Sequence, residues 1–489
     1  MLKHFSFFLV IVFTCTTASA QTLKPGFEKQ EFIELLIIGA RTTVDSSFYN
    51  KLPAPQRSTL IYQSQTAGFD NLWQLWRTKN NIPVISIRGT TKTSVSFLAN
   101  LYAAMVPAKG KLELEKDFTF DYNLSNNPKA AVHVGFLVAM AYLSRDILPK
   151  IDSCYKAGSK EFIITGHSQG GAISYLLTSW LESLKKENRL PKDIRFKTCT
   201  IASPKPGNLY YAYDYEDLTK NGWAYHVVNS VDWVPELPFS IQTLDDLNET
   251  NLFVNAKKLI KKQKFPNSMV LRIAYNQLSK PAKKAQRKYE RWLGKRFGKI
   301  VKKSLKELKT PDYFSSNSYV RTGTTIVMIP DSSYFIKFPE IRDSIWHNHT
   351  QVPYLFLAQK LPGNGEAGTQ GSSSGSIDGY WRLDYIAGQK TPFDSLFPNK
   401  KPLISFNISK GELSVYSRCT SFSGRFIFTA NKISFNTPPA STLKDCPVEG
   451  EKVLLEALKS VTGYSVSESG LTLIGGGDMA LMHFTRINN

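Results

Sequence analysis

Five consecutive residues, Gly166-His167-Ser168-Gln169-Gly170, carry the clearest chemistry in the sequence. A serine with small residues two positions to either side fits a sharp strand-to-helix corner that pushes its hydroxyl outward. Such a serine performs acyl transfer: it attacks a carbonyl carbon and holds the acyl group covalently. The flanks agree with this. Phe162–Thr165 is a short β-rich run, and an apolar helical pattern continues to Leu184. The start of that helix aims free N–H groups and the positive end of its dipole at the place where an oxyanion would form. The Gln169 amide is one expected oxyanion donor. The other is the Thr90 N–H, because Arg88-Gly89-Thr90-Thr91 follows directly on the apolar run Ile82–Ile87.

A serine is a weak nucleophile until a base takes its proton and a carboxylate orients that base. Asp232 is the expected carboxylate. It follows the apolar run Ala224–Asn229 and precedes the stiff Trp233-Val234-Pro235-Glu236-Leu237-Pro238. Asp214 and Asp217 compete with it, but they lie in a Tyr-rich stretch that reads as a loop with no strand before it. With serine, aspartate and histidine in that chain order, only His347, His349 and His483 of the seven histidines remain. His483 falls in a separate C-terminal region. His349 is the preferred base, since it opens HTQVPYLFLA, a loop leading into an apolar helix that carries Tyr354. His347 is the alternative base.

Strands alternating with helices predict an α/β sheet whose functional loops sit at strand ends. The stretch 21–68 reads as mainly helical. Thr93–Ala108 carries an apolar stripe and reads either as a packed helix or as a lid over the serine. The Gly/Ser-rich run Pro362–Ser376 is a flexible linker, which divides the chain into domains 21–361 and 377–489. The C-terminal domain shows short alternating β segments interrupted by one amphipathic helix, Gly450–Val461. That pattern describes a small α+β domain.

The chain has 489 residues, 42% of them apolar, and a net charge of +21. Its charge is concentrated. Residues 256–309 hold nineteen Lys and Arg against two Glu, so +17 falls in this one insertion. Trp292, Leu293, Phe297, Ile300, Val301, Leu305 and Leu308 recur there at near-helical intervals, which predicts a basic amphipathic helix. Such a segment is either a solvated insertion or an attachment to an anionic lipid surface. Its aromatics lie on an apolar stripe and do not interleave as stacking platforms, so no nucleic acid partner is expected.

Residues 1–20 read as a cleaved signal peptide, with Lys3, the apolar Phe5–Phe13 and Ala18-Ser19-Ala20 before the cut. Export to a compartment that permits disulfides makes Cys154–Cys199 and Cys419–Cys446 candidate pairs, with free thiols the alternative. The cysteine spacings fit no zinc site, and neither a metal nor an organic cofactor is expected. Oligomeric state is not legible.

Residues 30–360 resemble the class 3, fungal-lipase-like triacylglycerol lipases of the α/β-hydrolase family. The motifs that carry the resemblance occur in family order. They are Arg88-Gly89-Thr90, His133-x-Gly135-Phe136, Gly166-His-Ser-Gln-Gly-Gly171, Ser203-Pro-x-x-Gly207-Asn208, Asp232-x-Val-Pro-x-Leu-Pro238, and His349 with Tyr354. The resemblance implies Ser168 as nucleophile, Asp232 as acid, His349 as base, Thr90 and Gln169 as oxyanion donors, and a lipid ester as substrate. Gln169 stands where the family often has Leu, Pro206 where Val is common, and the basic insertion is a further departure. Residues 376–487 resemble a META domain through Gly379-x-Trp381-x-Leu383, Phe422-Ser423-Gly424, Thr442-x-x-x-Cys446 and the helix around Leu454-Leu455 and Leu458. The family's Gly-Cys-Asn is Arg418-Cys419-Thr420 here. The second resemblance implies a bacterial envelope protein, periplasmic, outer-envelope-associated or secreted. A non-catalytic envelope-binding protein on a vestigial hydrolase fold is the alternative.

Overall fold

Neighbouring residues of the central strands are apolar on opposite faces, so a sheet built from them must be covered on both sides. The computed structural model describes residues 23–43, 49–339, 344–361, 377–389, 391–398, 400–408, 410–417, 421–428, 432–436, 449–466, 470–475 and 480–487. The signal-peptide segment 1–20, the linker 362–376, Cys419 and Cys446 lie outside the described residues. The chain falls into two units, divided between Leu361 and Pro362.

The first unit is organised on a seven-stranded sheet: β1 (Ser58–Gln63), β2 (Trp73–Thr78), β3 (Pro83–Ile87), β4 (Glu161–His167), β5 (Arg195–Ile201), β6 (Ala224–Asn229) and β7 (Thr325–Met328). Its strands lie side by side in chain order. The β1–β2 and β2–β3 pairs are antiparallel, and every later pair is parallel. One face presents Leu75, Ile85, Phe162, Ile164 and Phe196 to α3 (Val134–Lys156) and α4 (Gln169–Lys186). The other presents Trp76, Val84, Ile163, Cys199 and Val227 to α1 (Lys29–Ala40) and α8 (Gln351–Lys360). Three further helices matter below: α2 (Ser94–Leu101), α5 (Leu209–Leu218) and the long α6 (Asn267–Tyr289). After a widened π-type turn over Glu290–Arg296, α6 continues as α7 (Phe297–Ser304).

The structure departs from the sequence reading at four places. The stretch expected to be mainly helical contains α1 but also β1, whose Leu60 and Tyr62 pair with β2. The apolar stripe at Thr93–Ala108 is helical only to Leu101. Met105–Pro107 is a short strand that pairs with Ala131–His133 inside a small four-stranded sheet. Asp214 and Asp217 sit on helix α5 rather than in a loop. Cys154 and Cys199 form no disulfide; both are free, buried thiols. Cys154 ends α3 on one side of the sheet, whereas Cys199 points from β5 into the core on the other side. Burial pushes the Cys199 thiol up to about 12.

The second unit is an eight-stranded antiparallel sheet in which the first and last strands in the chain, Gly379–Ile386 and Ala480–Ile487, pair with each other and the edges are Ile433–Asn436 and Val461–Val466. A single bridge between Lys432 and Gly463 brings its two outermost strands together, giving a barrel-like form. Helix Glu449–Lys459 packs Leu454 and Leu458 into the same core as Trp381 and Leu383.

Candidate active site

β4 ends at His167 and α4 begins at Gln169, so one residue makes the corner between them. Ser168 takes it with φ +58° and ψ −129°, a backbone conformation costly for a side-chain-bearing residue. The glycines two positions away follow from the close crossing. A Cβ on Gly166 would overlap the backbone of Gly170, and one on Gly170 would overlap the Ile87 carbonyl.

The corner delivers the serine to the histidine. The Ser168 hydroxyl donates to His349 Nε2 at 2.8 Å, and His349 Nδ1–H donates to Asp232 Oδ2 at 2.8 Å. Residues 181 and 117 positions apart in the chain thus form one hydrogen-bonded line. Asp232 has no exposed side-chain surface. It is nevertheless well solvated by protein donors: Tyr354 OH donates to Oδ2 (2.9 Å) and the Val234 N–H to Oδ1 (3.0 Å). Burial and the adjacent Asp232 charge hold the Tyr354 phenol well above its ordinary pKa, which keeps it a donor. His347, the alternative base, turns away and packs its ring 5.7 Å from Phe338.

The segment before Thr90 runs close to the same corner. The Gly89 backbone lies so close that a Cβ there would stand 3.4 Å from Ser168 Cβ. Among the described residues, neither the Thr90 nor the Gln169 N–H donates a hydrogen bond. The Thr90 hydroxyl, by contrast, is engaged as acceptor from Asn100 Nδ2 (2.9 Å). Gln169 is fully buried, and its side chain ties the corner to α2: Nε2 donates to Ser96 O (3.1 Å) and Asn100 Oδ1 (3.0 Å).

Several supporting residues carry little signal in the sequence. His167 Nε2–H donates to the His349 carbonyl at 2.8 Å. Burial, then the neighbouring His349 ring, pushes His167 well below its ordinary pKa and keeps it neutral. Asn229 Nδ2 donates to the Asn348 carbonyl (3.2 Å), Tyr334 OH to Asn348 Oδ1 (2.8 Å), and Trp233 Nε1 to the Ile345 carbonyl (2.6 Å). Four bonds therefore fix the loop that carries the histidine. Only the position of His167 inside the glycine-flanked motif offered a hint of any of them.

A largely parallel sheet with a strained serine ending one strand, and with an aspartate and a histidine supplied after later strands, defines an α/β-hydrolase fold. Within that class, residues 84–242 match the family model of class 3 lipases and residues 375–487 that of the META domain. The chain therefore joins a region that matches class 3 lipases to one that matches the META domain. Over 108 residues it is 32% identical to "Secreted mono- and diacylglycerol lipase 1" of Fusarium solani, a match covering 22% of this chain and 29% of that relative. The chain thus spans less than a third of the length of this curated relative. Similar solved structures include a Rhizomucor miehei lipase–propeptide complex, 21% identical with a TM-score of 0.33, covering 44% of this chain and 65% of that one. Lipase II from Rhizopus niveus is 24% identical with a TM-score of 0.32, covering 43% and 74%. Among the described residues, no helix is long and apolar enough to cross a membrane, and no group of three or more His, Cys, Asp or Glu could hold a metal ion.

Proposed function

We propose that the protein is an exported bacterial serine ester hydrolase that cleaves acylglycerols or related lipid esters. The observation that carries this reading is the continuous line Ser168–His349–Asp232 beside two unengaged amides. His349 Nε2 takes the Ser168 proton as Oγ attacks the ester carbonyl, and the imidazolium so formed is stabilised by Asp232. The Thr90 and Gln169 amides receive the oxyanion, where charge develops in the transition state. The imidazolium then gives its proton to the departing alcohol. Water, deprotonated by the same histidine, releases the acyl group. A lipid substrate is supported by the family match and by the apolar surround. Phe97 and Leu101 of α2 stand exposed, and Trp346 lies 5.7 Å from His349 with Phe97 and Trp233 beside it.

The test is hydrolysis of a p-nitrophenyl ester together with labelling by a fluorophosphonate. Both should be present in the wild type and abolished in Ser168→Ala. Equal rates in the two proteins, or labelling that survives the substitution, would favour the non-catalytic envelope-binding alternative. A panel of acylglycerols and phospholipids then defines the preferred head group.

A further inference from the structure

Between Asp232 and β7, residues 256–309 leave the central sheet as a basic arm, and the fold treats its two ends differently. From Gln286 onward the arm is fastened. Gln286 Nε2 donates to Ser315 Oγ (2.9 Å), Gly294 and Gly298 lie against Tyr313, and Val301 and Leu308 are buried in the core. α7 packs on α2, the helix tied to the serine corner. Upstream, the opposite holds. Phe265 is 79% exposed, Val270 63% and Leu278 61%, and Leu259, Met269 and Ile273 are at least half exposed. An apolar set of this size has no reason to stand in water unless something covers it.

The next stretch shows what would cover it. Lys280, Lys283, Lys284, Arg287, Lys288 and Arg291 recur every three or four residues and so form one stripe along α6 and the π-type turn. Asp245 pairs with Lys283. The other five have no ion pair among the described residues. Trp292, more than half exposed, closes the stripe. Exposed apolar side chains set among Lys257, Lys258, Lys261, Lys262, Lys264 and Arg272, then a row of free cations and an interfacial tryptophan, match the surface of an anionic bilayer, with apolar groups reaching beneath the phosphates and cations held at them. A second copy of this chain is a poor occupant, because two arms of net +17 repel each other. Nucleic acid fits less well, since most of the exposed apolar groups are aliphatic and offer bases no stacking face.

We propose that residues 256–292 form a docking surface for anionic phospholipid membranes: the exposed apolar side chains around Phe265, Val270 and Leu278 insert, and the interspersed lysines together with the cationic stripe 280–291 hold phosphate head groups. The inference rests on the lipid-ester reading for its purpose, since it would deliver the serine corner to its substrate. It does not rest on that reading for its observables.

The experiment is co-sedimentation of the full-length Ser168→Ala protein, which leaves vesicles intact, with phosphatidylcholine vesicles with and without phosphatidylglycerol. Anionic vesicles should be preferred by at least about tenfold in partition, and about 1 M salt should erase the preference. Lys280→Glu/Lys284→Glu/Lys288→Glu/Arg291→Glu should lose it, again by at least about tenfold. Phe265→Ser/Val270→Ser/Leu278→Ser should weaken binding while leaving the salt dependence in place. In the Ser168-containing background both variants should hydrolyse a soluble p-nitrophenyl ester at the wild-type rate. Equal binding to neutral vesicles, an anionic preference that survives charge reversal, or tighter capture by duplex DNA at the same salt each overturns the proposal. Absence of ester hydrolysis in the wild type would sink the enzymatic reading and leave the docking result standing.

Discussion

Acidification should destabilise the first unit before its carboxylates begin to titrate. His133, His167 and His226 are buried and neutral. Burial lowers His133 and His226 from 6.5 to about 3, with Arg321 adding to the effect at His226; burial and the His349 ring push His167 well below 6.5. The unfolded chain binds these protons near pH 6.5, whereas the folded chain refuses them until far lower pH. Stability is therefore complete above the unfolded value and falls as pH drops from 6.5 toward 3. Each such histidine costs almost nothing at pH 7 and between about 1 and 2 kcal/mol at pH 5.5. Three of them remove about 4 kcal/mol over that interval, a large share of a domain's usual stability. The assay is urea unfolding at both pH values followed by tryptophan fluorescence, which reports mostly on this unit because seven of the eight tryptophans lie in it. His226→Asn should shrink the pH difference by about one third. A difference below about 1 kcal/mol in the wild type would refute the argument.

Other substitutions test other parts of the structure. Gly170→Ala drives a methyl group into the Ile87 carbonyl and should cost about 3 kcal/mol or more, read as a lower melting temperature with loss of activity. Gln169→Ala keeps the main-chain donor but removes the bonds to Ser96 and Asn100; amide exchange across α2 should rise at least tenfold, corresponding to about 1.4 kcal/mol. Lys197 is buried on β5, 2.5 Å from Glu31. Glu31→Ala, which strands the cation, should destabilise by about 2–3 kcal/mol, while Lys197→Met should cost under about 1 kcal/mol. Cys154 and Cys199 should stay unmodified by a thiol reagent in the native protein, as mapped by mass spectrometry, and react fully in denaturant.

The sequence made the serine corner legible because its constraints are local: a strand, a turn that admits only small residues, and a helix, all within about twenty positions. Asp232 and His349 were legible through chain order and their neighbours, with no geometry required. What stayed hidden depends on contacts between distant segments. Met105–Pro107 and Gly207–Asn208 are too short to show a period of two, so the small sheet left no trace. The spacing of Cys154 and Cys199 says nothing of which sheet face each thiol takes. His167 and Asn229 look like a filler position and a strand end, and their hold on the His349 loop exists only after folding.

The order of the central strands sets a timetable. A chain emerging amino-terminus first can add each strand beside the one before it, with no earlier pair reopened. The imidazole arrives last, after the strained serine, the acid and the whole cationic arm are already out. A half-made molecule therefore holds Ser168 without its imidazole partner, and the hydrogen-bonded line to Asp232 closes only once the final hundred-odd residues before the barrel have been delivered.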